Sequence, residues 1–309
     1  MASIRQIRSR LKSIQSTKQI MRAMQLVSAS KLKRAQGRLL QARSVLEFLD
    51  GLLERVRSSS SGLEHPLCAD PSTSLRAASR AESRNAAREG SSSTLVIFTS
   101  DAGLCGSYNT NLIQLAESHL RRDSAGSTEV IYIGKKGYRY FTKRGHAAAE
   151  SYLDLAGRPD LRKAEAIGRA LVERFLSKRT DSVQLLYSQF VSAMTYRPTV
   201  LQWLPIRLET AVGTQDAGRR TQESVEYIFE PSPQRVFEDL LPRWAMAKFQ
   251  LIMLEAFTSE HSARMIAMKN ATDNAEELLK ALTMQRKKTR QASITKEISE
   301  IIGTVEALR

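Results

Sequence analysis

Between Ile4 and Val56 the chain repeats apolar residues every seven positions, and no proline interrupts the run. Heptad position a falls on Ile4, Leu11, Lys18, Gln25, Leu32, Leu39, Leu46 and Leu53. Position d falls on Ile7, Ile14, Met21, Ser28, Ala35, Ala42, Leu49 and Val56. Thirteen of these sixteen positions are apolar, which predicts a coiled-coil seam rather than an ordinary surface helix. A helix of this length would be about 85 Å long and would not hold in water without a partner.

The three exceptions, Lys18, Gln25 and Ser28, lie close together, and around them the apolar residues shift to Ile20, Ala23, Met24, Leu26 and Val27. A dry two-helix seam is weakened by such a break. The expectation is that these three polar side chains face a partner protein.

A second long helix is predicted at the other end. Ser232-Pro233 is a helix start with proline in the first turn. From Gln234 to Leu308 there is one proline, Pro242, and one glycine, Gly303. Ile294, Ile298, Ile301, Val305 and Leu308 repeat at spacings of four and three. Two long seamed helices at the ends of one chain have a simple solution, an antiparallel pair in which each covers the other's stripe.

Between them, residues 58–93 hold eleven serines and two prolines and predict a flexible connection. Strands are expected at 95–99, 130–133, 183–187, 200–203 and 225–229, and helices at 109–121, 135–143 and 161–177. A hairpin loop or exposed turn is expected at 211–218. Alternating strands and helices predict an open, Rossmann-like α/β sheet. The expected division is therefore 1–57 coiled-coil helix, 58–93 linker, 94–230 α/β domain and 231–309 coiled-coil helix.

Little in the sequence points to catalysis. The cysteines, Cys68 and Cys105, are too few for a disulfide framework. None of His65, His119, His146 and His261 sits in a metal-ligand spacing such as HExxH. The loop from Thr99 to Asn109 links a strand to a helix and could hold a phosphate there. It matches neither GxGxxG nor GxxxxGK[ST], so a tight turn with Asn109 or Ser107 as N-cap is expected instead. Cys105 could be a nucleophile at that helix start, but no histidine signature accompanies it, and a buried small side chain fits better.

Net charge is +15, and residues 1–43 carry eleven Lys or Arg and no Asp or Glu. Nucleic acid, an anionic surface or an acidic protein sleeve would each suit that end. A second basic cluster runs from Arg286 to Arg290. No apolar run approaches the roughly 20 residues of a membrane-spanning helix, so a link to a membrane is expected to run through partners.

Several stretches together resemble the γ subunit family of F-type ATP synthases. They are MASIRQIRSR from Met1, TKQIMRAM from Thr17, SASKLKRAQ from Ser28, SDAGLCGSYNTN from Ser100 and YIFEP from Tyr227. The most specific are SEHSARMIAMKNATDN from Ser259 and ASITKEISEIIG from Ala292. The chain departs from the family where Ala102 replaces a usual Arg and Ser107 a usual Gly. It also lacks the dithiol segment of the plastid type.

The resemblance implies a non-catalytic coupling role with no cofactor. The partners it implies are the α and β subunits of a catalytic hexamer, an ε subunit and a membrane ring of c subunits, and not nucleic acid. It places contacts with β at Met24, Arg264, Arg290, Gln291, Thr295 and Glu297. It places an apolar bearing tip at Ile298, Ile301, Ile302, Val305 and Leu308. Because the family-like start coincides with Met1, a bacterial chain on the cytoplasmic face of the inner membrane is expected. A basic coiled-coil nucleic-acid-binding protein is the alternative.

Overall fold

A computed structural model describes residues 4–60, 63–68, 92–122, 128–155, 160–207 and 229–307. The predicted turn at 211–218, most of the strand at 225–229, and Leu308 lie outside these residues; Phe229 lies in no strand.

Helix α1 runs Ile4–Ser59 and helix α5 runs Pro233–Ala307. The Ser232 hydroxyl accepts from Arg235 N at 3.3 Å, as the predicted helix start requires, and the helix continues through Pro242. The two helices lie antiparallel, because Lys18 meets Glu276, Arg43 meets Glu255 and Asp50 meets Trp244. Continuing that register, the start of α1 falls opposite about residue 290, and the last turns of α5 extend some 25 Å beyond it.

The seam follows the heptads. Ile7, Leu32, Ala35, Leu39, Leu46, Leu53 and Val56 are buried. The polar positions do not turn away from it, contrary to the sequence-based expectation. Ser28 is 3% exposed, Gln25 is half-buried, and Lys18 Nζ pairs with Glu276 Oε2 across the seam at 2.9 Å. What faces outward is apolar instead: Ile20, Leu26 and Val27 are all more than half exposed.

The α/β domain contains β1 (Ser93–Phe98), α2 (Tyr108–Arg122), β2 (Thr128–Ile133), α3 (Lys135–Thr142), β3 (Ala148–Tyr152), α4 (Leu161–Leu176), β4 (Ser182–Phe190) and β5 (Tyr196–Leu204). The strands order as β3-β2-β1-β4-β5, all parallel except the β4–β5 hairpin. Right-handed crossovers then dictate the layers. Moving outward from β1 to β3 puts α2 and α3 on one face, where Leu112, Ala116 and Phe141 pack on Leu95, Ile97 and Tyr132. Crossing back to β4 puts α4 on the other face, where Ile167 and Leu171 pack on Val96, Phe98 and Leu185.

That second face is shared with the rod. Phe237, Leu241, Phe249 and Ile252 of α5, with Leu53 and Val56 of α1, complete the same core. Gly168 permits the closeness of α4 to α5, since a Cβ there would lie 2.6 Å from Met246 Sδ. Residues 63–68, expected to belong to a flexible connection, are part of this core. Leu67 is 1% exposed and its carbonyl accepts from Ile206 N at 2.7 Å.

Candidate functional site: the joint between rod and domain

In an open α/β sheet the loops beyond the carboxyl ends of the strands leave a crevice where the strand order reverses. Here that point lies between β1 and β4, and α5 runs across it. Every residue from 251 to 264 is buried, as expected of a helix covered on all sides. Many of them are polar, so each needs a partner. The Ser259 hydroxyl donates to Ser188 O at 2.9 Å, and the Ser262 hydroxyl donates to Ala193 O in the β4–β5 hairpin. Arg43 of α1 donates both to Glu255 Oε1, at 2.7 Å, and to Phe190 O, at 2.9 Å. One guanidinium thus ties α1, α5 and β4 together.

The loop after β1 is stiffened from within. Ser100 N donates to Asn109 Oδ1 at 3.0 Å, and Asn109 Nδ2 reaches Cys105 Sγ at 3.1 Å. Asp101 Oδ1 accepts from Lys135 N at 3.1 Å. Gly134 lies at φ +101, and a Cβ there would fall 2.0 Å from Thr99 O, so only glycine lets α3 begin so near the loop. Asn109 sits inside the first turn of α2 and staples the loop, so it is not the helix cap; Ser107 holds the position before Tyr108. Cys105 is 2% exposed, a packed side chain rather than an accessible thiol.

Arg264 joins the loop to the rod. Its Nε donates to Gly103 O at 3.2 Å, and its Nη2 donates to Ala102 O at 3.3 Å and to Glu260 Oε1 at 2.7 Å. Burial raises the Glu260 carboxyl above its usual range, while the Arg264 guanidinium pulls it the other way. The Tyr108 hydroxyl donates to Ala256 O at 3.1 Å, and Gly106 packs within reach of Ala267 Cβ. The two stretches singled out in the sequence, 100–111 and 259–274, are therefore two halves of one joint.

The other sequence-predicted contact residues are scattered along the rod. Met24 is half-buried on α1. Arg290, Gln291, Thr295 and Glu297 are exposed on α5, as are Ile298, Ile301 and Ile302. Val305 lies in the last turns of the helix. Arg264 stands apart from this set: at 8% exposed and with three internal acceptors, it serves the joint rather than an open surface. Sequence reasoning missed Glu260 and Arg43, whose i,i+4 and cross-helix partners become visible only once the register is known. Among the described residues no cluster of His, Cys, Asp or Glu could hold a metal ion, and no helix is long and apolar enough to cross a membrane.

A long rod keyed by one helix into an α/β domain defines a stalk-type protein. A family profile described as ATP synthase matches residues 3–308. The ATP synthase gamma chain of Symbiobacterium thermophilum is 38% identical over 304 residues, covering 98% of this chain and 97% of the relative. That of Desulforamulus reducens is 37% identical over 308 residues, covering 100% of both. The chain belongs to the ATP synthase gamma chain family. Its fold is similar to a chain in the Euglena gracilis mitochondrial ATP synthase, with a TM-score of 0.62 at 18% identity over 99% of this chain and 94% of that one. A Tetrahymena thermophila mitochondrial ATP synthase chain, from its central stalk and c-ring, gives 0.53 at 20% identity, covering 82% and 99%.

Proposed function

We propose that this chain is the turning central shaft of an F-type ATP synthase and has no catalytic site of its own. It couples ion-driven rotation of a membrane ring of c subunits to ATP synthesis or hydrolysis at the sites of an α/β hexamer. The observation that carries this reading is the sharing of α5. The same buried stretch that pairs with α1 also completes the core of the α/β domain and pins the loop after β1. Torque applied to the domain therefore reaches the rod without a hinge, because many packed side chains would have to slip together.

The rod's surface suits contacts that are made and released. Arg290, Gln291, Thr295 and Glu297, with Met24 on α1, are offered to β subunits. Exposed charges of this kind contribute on the order of 1 kcal/mol or less each, weak enough to exchange at every step. Ile298, Ile301 and Ile302, with Val305 and Leu308, form an apolar tip that lacks directional hydrogen bonds and can turn in a sleeve. An ε subunit would share the foot with the c ring, on the cytoplasmic face of a bacterial inner membrane. The domain limits at 57, 93 and 230 mark rod, connection and domain, with residues 63–68 packed on the domain side.

The test is co-expression with α and β subunits of a bacterial ATP synthase, followed by single-molecule observation of a bead fixed to the α/β domain. ATP-driven rotation of the bead is the expected result. Failure to co-purify with either subunit, with salt-sensitive binding to duplex DNA in its place, would overturn the proposal in favour of a nucleic-acid-binding protein.

A further inference from the structure

A cleft of about 1280 Å³ opens where the rod leaves the α/β domain, bounded by α1, the start of α4, the end of β3 and α5. It is somewhat larger than the roughly 300–1,000 Å³ of an ordinary ligand site. Lys31, Arg34 and Arg38 stand along one wall at spacings of three and four, one face of α1. Arg162 and Lys163, in the first turn of α4, line the same cleft. The two carboxylates at the rim are already engaged. Asp154 pairs with Lys135, and Asp160 caps α4 by accepting from Arg162 N at 3.0 Å. Among the described residues Lys31, Arg34, Arg162 and Lys163 form no ion pair. The floor is apolar, with Ala42, Leu155 and Leu254.

We propose that this cleft binds a compact polyanion, a linear chain of two or more phosphates. Rows of cations on two elements, α1 and α4, around one cleft match a ligand that carries several charges along its length, and Arg fits phosphate oxygens two at a time. A single carboxylate or monophosphate would meet only one row. Low-dielectric walls behind the cations focus their field into the cleft. A bound polyanion bridges α1 to α4 and thereby braces the rod against the domain. This proposal does not rest on the rotary reading, because the ligand is inferred from the chain's own cleft.

The experiment is calorimetric titration of the full chain with inorganic tripolyphosphate, with ATP and with AMP, at physiological salt. A chain this basic attracts anions anywhere, so the control removes an equal charge elsewhere. Binding of one tripolyphosphate per chain is expected, weakened roughly tenfold or more by Arg34→Gln with Arg162→Gln. The charge-matched pair Arg286→Gln with Lys287→Gln is expected to leave it unchanged. ATP binding as tightly as tripolyphosphate identifies the phosphate chain as the recognised group. Tighter ATP binding adds a nucleoside contact at the apolar floor. The proposal is overturned by equal weakening in both double variants, or by AMP binding as well as tripolyphosphate. It is also overturned if Lys31 and Lys163 are shielded from acetylation when anion-free chain is assembled with its partners, because a polypeptide then fills the cleft.

Discussion

Residues 251–264 and 294–302 lie on the same helix and are both rich in apolar side chains, yet the first stretch is buried throughout and the second exposed throughout. The first is held between α1 and the sheet, and even its polar groups have internal partners. The second lies beyond the described start of α1, and its residues stand exposed. Burial in one place supports the fold. Exposure in the other leaves Ile298, Ile301 and Ile302 in water, a cost that a covering partner would remove. One element thus serves folding at one end and, in the proposed function, association at the other.

The contrast can be broken most forcefully at Phe249, which is 0% exposed and packs on Phe98 and Trp203. Phe249→Ala is expected to cost about 3–5 kcal/mol, read as a fall in the urea midpoint. Arg264→Ala comes next, at about 3 kcal/mol, because it strands the buried Glu260 carboxylate. Adding Glu260→Gln to that variant should recover much of the loss; if it does not, the backbone contacts to Gly103 and Ala102 matter more than the charge pair. At the free end, Ile298→Ala with Ile301→Ala should change the stability of the isolated chain by no more than about 0.5 kcal/mol, while lowering coupled ATP synthesis in the assembled complex. A large loss of stability there would mean the tip folds back on its own chain.

The smallest effect sharpens the picture at the seam. The Lys18 ammonium holds the Glu276 carboxyl below its usual range. A carboxyl depressed in the folded chain stabilises it above the ordinary carboxylate pKa, and that contribution disappears as pH falls through the depressed value. Lys18→Met should therefore lower the melting temperature slightly near pH 7, and the gap should close on acidification toward pH 3. A gap that widens in acid would show that the pair does not set the pH response.

Much of the fold was legible. The heptads placed α1 nearly to the residue, since a repeat sustained over so many turns has one reading. The strands buried on both faces, such as β1 and β2, announced themselves as continuous apolar runs. Strand β3 did not, because Ala148–Tyr152 is a half-exposed edge strand with Glu150 and Ser151 in its middle. The polar seam residues were misread for a related reason. Lys18 looks like a defect until Glu276, far away in sequence, is seen opposite it. The joint was legible only as two separate stretches, because nothing local says that Arg264 ends on Gly103 O.

The sharing of α5 also dictates an order of events during synthesis. The face of the sheet carrying Val96, Phe98 and Leu185 and the stripe along α1 both wait for residues 237–257, which leave the ribosome in the last quarter of translation. At 5–20 residues per second, the α1 stripe stands uncovered for roughly ten seconds or more and the completed sheet face for roughly three seconds or more. The nascent chain is then the form most in need of a chaperone, and truncation before α5 should yield not a smaller working protein but an aggregate.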